Sequence, residues 1–154
     1  MGVSPRTETP NRSASVDSTD MAGHLIRRLH QQSTLVFVQR TQAAGFDLTP
    51  VQFAALDAIH HQPGTDQARV AEMIAYDRAT IGGVIERLEQ KGWVRRVVSE
   101  RDRRARELTL TTEGERIRSR LLPIVRGLQD EILERLSRAD RTRFLKLVRQ
   151  AVQE

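Results

Sequence analysis

Between positions 101 and 106 the chain sets four arginines in six residues, Arg101, Arg103, Arg104 and Arg106, with Asp102 and Ala105 between them. A guanidinium is a planar fork of donors that matches phosphate or carboxylate oxygens two at a time, so the cluster suits an anionic partner. The residues that follow, "RELTLT" at 106–111, alternate in character and read as a β-strand. Paired with "WVRRVV" at 93–98, they close a hairpin whose tip, "SERDRRA", carries the arginines. The charge extends upstream: positions 69–106 hold ten Lys or Arg against six Asp or Glu, four of the chain's five net positive charges. Each arginine set on a phosphate would release counterions and steepen the salt dependence of binding by roughly 0.9.

Helical segments must carry this hairpin. Met21, Leu25, Leu29, Val36 and Phe37 mark one face of a helix from Met21 to about Ala44, stopped by Gly45. Thr49 as N-cap and Pro50 in the first turn open a second helix that ends at Pro63-Gly64, with Val51, Phe53, Ala54, Leu56 and Ile59 as its buried stripe. A short helix over Gln67 to Ile74 follows. Asp77 is expected to cap a fourth helix from about Arg78 to Lys91, closed by Gly92, with Ile81, Val84, Ile85 and Leu88 inward. Inside it Gly82 and Gly83 each cost about 1 kcal/mol relative to alanine, which close approach of another backbone or a nucleic acid would offset. A helix-packing role is the alternative.

After the hairpin, Thr112 with Glu115 resembles a capping box for a long helix bearing Ile117, Leu121, Ile124, Val125, Leu128, Ile132 and Leu136, which Pro123 should kink or split. A last helix runs from about Ala139 to Val152, beginning at Ser137 with Asp140 three residues on. The first 20 residues hold few apolar side chains and read as a flexible tail, whose Arg6 and Arg12 could touch DNA as an arm.

This order gives a mainly α fold with a small β-hairpin wing: a winged helix-turn-helix domain at 49–111, between an N-terminal helix (21–48) and C-terminal helices (112–154). The C-terminal stripe could be intramolecular core. Beside so small a winged domain it is better spent on a second copy, and a twofold dimer matches a palindromic operator.

"LTPVQFAALDAI", "PG", "DRATIGGVIERLEQKGW", "DRRARELTLTTEG" and "LLP" together resemble the multiple-antibiotic-resistance regulator (MarR) family over residues 21–150. The resemblance implies a homodimeric winged-helix regulator of double-stranded DNA, usually a repressor, whose N-terminal helix (21–48) and C-terminal helices (112–154) intertwine as dimerisation helices. It implies that Arg104 enters the minor groove with Asp102 orienting it, and that Ala79, Thr80, Gly83 and Arg87 face bases and phosphates. The full expected DNA-facing set is Arg69, Arg78, Ala79, Thr80, Gly82, Gly83, Arg87, Arg101, Asp102, Arg103, Arg104 and Arg106. Many members carry a polar residue where this chain has the glycine pair, so shape and close backbone approach should carry more of the specificity here.

Relatives of this kind release DNA on cysteine oxidation or on binding a small molecule, and the chain has no cysteine. The resemblance therefore implies a small aromatic, anionic effector, such as a hydroxybenzoate or hydroxynicotinate. A carboxylate needs donors in a partly apolar cleft, and Arg27, His30, Arg40, Phe53, His60 and His61 are the expected ligand residues.

Other classes are set aside. No Ser-His-Asp order, phosphate loop or paired carboxylates indicates an enzyme. His24, His30, His60 and His61 lack the spacing of a metal site, so no cofactor or metal is expected. With no apolar run of 18 residues, a cytoplasmic protein without a membrane partner is expected. A constitutive dimeric DNA-binding or architectural protein without effector, or an oligomerisation module with arginines for solubility, are the alternative readings.

Overall fold

The computed structural model describes residues 17–152. Most of the expected tail lies outside the described residues, and its end, Asp17–Asp20, forms a single 3-10 turn. Six helices follow: α1 Ala22–Ala43, α2 Pro50–His61, α3 Gln67–Met73, α4 Ile81–Gln90, α5 Thr112–Ile132 and α6 Arg138–Ala151. The strands β1, Val94–Val98, and β2, Arg106–Leu110, lie between α4 and α5.

Local chemistry sets most boundaries. Gly45 adopts φ +83° just past α1, where a side chain would be strained. Thr49 and Gln52 form a reciprocal capping box: the Thr49 hydroxyl accepts from the Gln52 N–H at 3.3 Å, and the Gln52 side chain from the Thr49 N–H at 3.2 Å. Ser137 accepts from the Asp140 N–H at 3.2 Å and starts α6.

Three expectations are corrected. Helix α4 begins at Ile81 rather than near Arg78, because the Asp77 carboxylate accepts the Thr80 hydroxyl at 3.0 Å instead of capping backbone amides. The cap of α5 is Thr111, whose hydroxyl accepts from the Gly114 N–H at 3.0 Å and donates to the Gly92 carbonyl at 2.6 Å. Pro123 does not split α5, which runs unbroken through it. Pro123 and Ser119, whose carbonyl loses its donor, are both exposed, so water takes that bond.

The hairpin is antiparallel, from Val94 opposite Leu110 to Val98 opposite Arg106. Thr65, in the loop after α2, forms an isolated bridge with Leu108, its carbonyl accepting from the Leu108 N–H at 2.7 Å. One core holds the winged domain to α5: Leu56 and Ile59 of α2, Val70 of α3, Ile81, Ile85 and Leu88 of α4, Leu108 of β2 and Leu121 of α5 are fully buried. Each such side chain contributes about 1.5–3 kcal/mol through burial.

Candidate nucleic-acid interface

Helices α3 and α4 are joined by a tight turn in which Ala75 takes φ +51° and the Tyr76 N–H reaches back to the Ala71 carbonyl at 2.8 Å. The turn swings α4 across α3 so that Ile81, Val84, Ile85 and Leu88 are buried and Gly83, Glu86, Arg87 and Gln90 face outward. Arg78, Ala79 and Thr80 are exposed in the turn ahead of it. The Thr80 hydroxyl proton is committed to Asp77. A Cβ added at Gly83 would meet nothing within 4 Å, so the fold does not require glycine there. At Gly82 it would meet the Gln67 carboxamide, 3.3 Å from Nε2.

The wing tip is held by two short polar side chains. Asp102 Oδ1 accepts from the Arg104 N–H at 2.9 Å, and Ser99 Oγ accepts from the N–H groups of Arg101, at 3.2 Å, and Asp102, at 3.4 Å. Asp102 thus orients the Arg104 main chain, leaving the guanidinium outward. Ser99 is buried; sequence reasoning passed over it, although a serine at the end of a strand before a charged turn is a turn-former.

Among the described residues the guanidiniums of Arg78, Arg87, Arg101, Arg103 and Arg104 make no intrachain ion pair. The Arg106 side chain donates to the Arg103 carbonyl at 3.5 Å, a marginal contact. Arg69 is the exception within the expected set, being paired with Glu72 at 2.8 Å. The outward surface of α4 and the wing therefore presents positive charge not spent inside the chain, which suits a row of phosphates.

The six expected ligand residues do not converge. Phe53 is buried in the core, its ring centroid 6.3 Å from that of Phe37. His60 pairs with Glu115 of α5 at 2.7 Å, and the His61 ring reaches the Asp57 carbonyl at 2.8 Å. Arg27 touches His24 at 3.5 Å, and His30 is exposed. Arg27 and Arg40 stand thirteen positions apart on α1, about 20 Å along a helix, too far to hold one small acid. Arg40 pairs with Glu131 at 2.6 Å on the rim of a cleft of about 500 Å³ between α1 and α5, lined by Pro123, Ile124 and Leu128. A larger groove of about 820 Å³ lies between α4 and the α1–α2 connection, with Gln52, Arg87 and Lys91 on its walls. Sequence reasoning missed Lys91 as a tie here: its ammonium donates to the Asp47 carbonyl at 2.7 Å and lies 4.9 Å from the centre of the Trp93 ring.

Comparison with known proteins agrees with this geometry. The MarR family model matches residues 46–105. The transcriptional regulator HosA of Escherichia coli O127:H6 is 37% identical over 128 residues, 83% of this chain and 92% of HosA. The chain belongs to the MarR family. A second relative, the HTH-type transcriptional repressor NicR of Pseudomonas putida, is 30% identical over 95% of this chain and 91% of its own. Among solved structures, BpsR of Bordetella bronchiseptica, whose DNA binding is regulated by 6-hydroxynicotinic acid, superimposes with a TM-score of 0.81 at 28% identity, covering 91% of this chain and 99% of BpsR.

As a MarR-family member the chain is a DNA-binding winged helix-turn-helix transcriptional regulator and not an enzyme. Among the described residues no group of three or more His, Cys, Asp or Glu could hold a metal ion, and no helix is long and apolar enough to cross a membrane.

Proposed function

We propose that this regulator is a homodimeric repressor that occupies a palindromic operator and leaves it when a small aromatic carboxylate binds. The observation that carries the reading is α6, which buries no residue against the rest of the described chain while Leu145, Leu147 and Val148 stand exposed. On α1, Leu25, Ile26 and Leu35 are likewise exposed. Apolar faces of this extent on two terminal helices are best covered by a second copy, which assigns 21–48 and 112–154 to dimerisation and 49–111 to DNA.

A twofold axis repeats each winged domain, placing two α4 helices against half-sites about 10 base pairs apart. In this reading the exposed Arg78, Arg87, Arg101, Arg103 and Arg106 meet phosphates. Arg104 enters the minor groove, while Ala79, Thr80, Gly82 and Gly83 lie against base edges. For the effector, the α1–α5 cleft offers an apolar floor and one cation, and Arg40 is the carboxylate partner of choice among the expected residues. The acid would displace Glu131 from Arg40 and so favour a different setting of α5 against α1. Only a difference in affinity between two settings can release DNA.

Sedimentation gives the oligomeric state, and titration of a hydroxybenzoate and hydroxynicotinate panel into the operator complex gives the effector. A dimer released by at least one aromatic acid is expected. A monomer that binds DNA as such would remove the palindrome. An operator complex indifferent to every acid would remove the effector.

A further inference from the structure

The N-terminal part of the recognition surface carries almost no hydrogen-bonding side chain. Ala79, Gly82 and Gly83 have none, and the Thr80 hydroxyl is bound to Asp77 at 3.0 Å. The carbonyls of this first turn are consumed by the helix itself. The first turn of such a helix can touch bases, yet its own side chains offer them almost no hydrogen bond, Glu86, Arg87 and Gln90 lying further along α4.

Gln67 lies where that capacity is missing. It opens α3, one residue after the N-cap Asp66, whose carboxylate accepts from the Arg69 N–H at 2.8 Å and fixes the first turn. From there its side chain crosses to α4. Its Nε2 and Oε1 stand 3.3 and 3.7 Å from where a Cβ of residue 82 would be, so glycine at 82 leaves room for the carboxamide. Gln67 is half-buried, and among the described residues its carboxamide makes no hydrogen bond. The helix carries a residue of poor propensity, and beside it stands an amide with donor and acceptor both unspent.

We propose that Gln67 is a base-reading residue, its carboxamide laid across Gly82 to form the paired donor and acceptor hydrogen bonds that recognise an adenine edge in the major groove. The proposal rests on α4 being the DNA-facing helix. An amide presents a donor and an acceptor side by side, the pattern that matches adenine N7 and N6, whereas a phosphate would use only the donor. In the proposed reading phosphate contacts are already supplied by the unpaired guanidiniums of Arg78, Arg87, Arg101 and Arg103, which leaves the neutral amide for discrimination.

The test uses the full chain and a duplex that the wild-type protein selects from random sequence. Q67A and the isosteric Q67E, the latter favourable in charge at a helix N-terminus, should fold as judged by circular dichroism. Both should lower affinity by about 5- to 150-fold for each half-site, the two factors multiplying on a palindromic duplex. Both should also lose discrimination at one base pair per half-site. Replacing the adenine there by 7-deazaadenine should weaken the wild type and leave Q67A unaffected. G82A should reproduce the loss in the wild-type background and add nothing in the Q67A background, while raising the thermal midpoint of the free protein.

Equal weakening of Q67A on every duplex, selected or not, would show a phosphate contact and overturn the proposal. Unchanged affinity in both Gln67 variants would overturn it as well. A wild-type chain that selects no sequence at all would overturn the reading of α4 itself, an outcome separable from failure of the Gln67 variants alone.

Discussion

Arg118 of α5 reaches across to Asp57 of α2 and places two donors on one carboxylate oxygen, Nη2 at 2.7 Å and Nε at 2.9 Å. The arginine side chain is only 9% exposed and the aspartate 37%, so the pair is a buried cation held by a carboxylate with one side in water. With His60 and Glu115 beside it, this pair fastens the winged domain to the long C-terminal helix.

Removing Asp57 leaves that cation without its partner. D57A should lower the unfolding free energy by about 2–3 kcal/mol, whereas R118M, which removes the charge and keeps an apolar stem, should cost about 1 kcal/mol or less. Urea titration of both variants measures the asymmetry; equal losses would mean that the pair, rather than the stranded charge, carries the energy.

Gly114 gives a prediction whose sign opposes helix propensity. A Cβ there would lie 2.9 Å from the Trp93 carbonyl carbon and closer still to its oxygen. Propensity alone would make G114A more stable by about 1 kcal/mol. Because the obstructing atoms are backbone, the expected result is a loss of about 3 kcal/mol, read as a lower urea midpoint with unchanged slope.

The wing should separate binding from folding. The Arg104 guanidinium makes no intrachain hydrogen bond or ion pair among the described residues. R104E should therefore abolish operator binding in a mobility-shift assay without moving the thermal midpoint. Replacing Arg101 or Arg103 by alanine should instead make the logarithmic salt dependence shallower by about one unit per protomer, so about two for the proposed dimer. Undiminished affinity in R104E would exclude the minor-groove role.

Acid stability has a local contributor at the start of α5. The Arg116 guanidinium, bonded to Glu113 at 2.8 Å, holds that carboxyl below its usual range. A depressed carboxylate contributes stability above its unfolded value and loses it as pH falls through the folded one. Wild type should thus be slightly more stable than E113Q at neutral pH, and the difference should start to shrink as pH falls below the unfolded value of about 4.3 and vanish only below the depressed folded one. Denaturant midpoints at several pH values check this.

How far the sequence could be read depended on how local the chemistry was. The Thr49 and Pro50 start of α2 and the Ser137 start of α6 involve neighbours a few positions apart, and both stand as expected. Thr111 and Thr112 could not be told apart because the deciding bond, from Thr111 to the Gly92 carbonyl, spans 19 positions. Asp77 was misassigned because a nearby hydroxyl competes for its carboxylate. The wing arginines were legible from their density alone. The effector residues were not: nothing in the spacing of Phe53 says that its ring turns inward onto Phe37, and His60 reads as free until Glu115 arrives from 55 residues away. Gln67 belongs to no motif, and its one sequence signal was a glycine pair read as lying inside a helix, where the structure has it in the first turn.

The junction after α4 has a mechanical consequence. The Trp93 N–H is bonded to Leu88 of α4, its carbonyl accepts the Thr111 N–H at 3.0 Å, and Thr111 grips Gly92 with its hydroxyl. The end of the recognition helix, the root of the wing and the first turn of α5 are thereby one clamped joint. Helix α5, with 21 residues, is a rod about 30 Å long. A tilt of about 5° at its far end would swing the clamped end by about 3 Å, close to the rise of one base-pair step along DNA. Such a joint transmits like a geared lever, so in the proposed dimer a small molecule would need only to nudge the rod to put the two reading heads out of step with the operator.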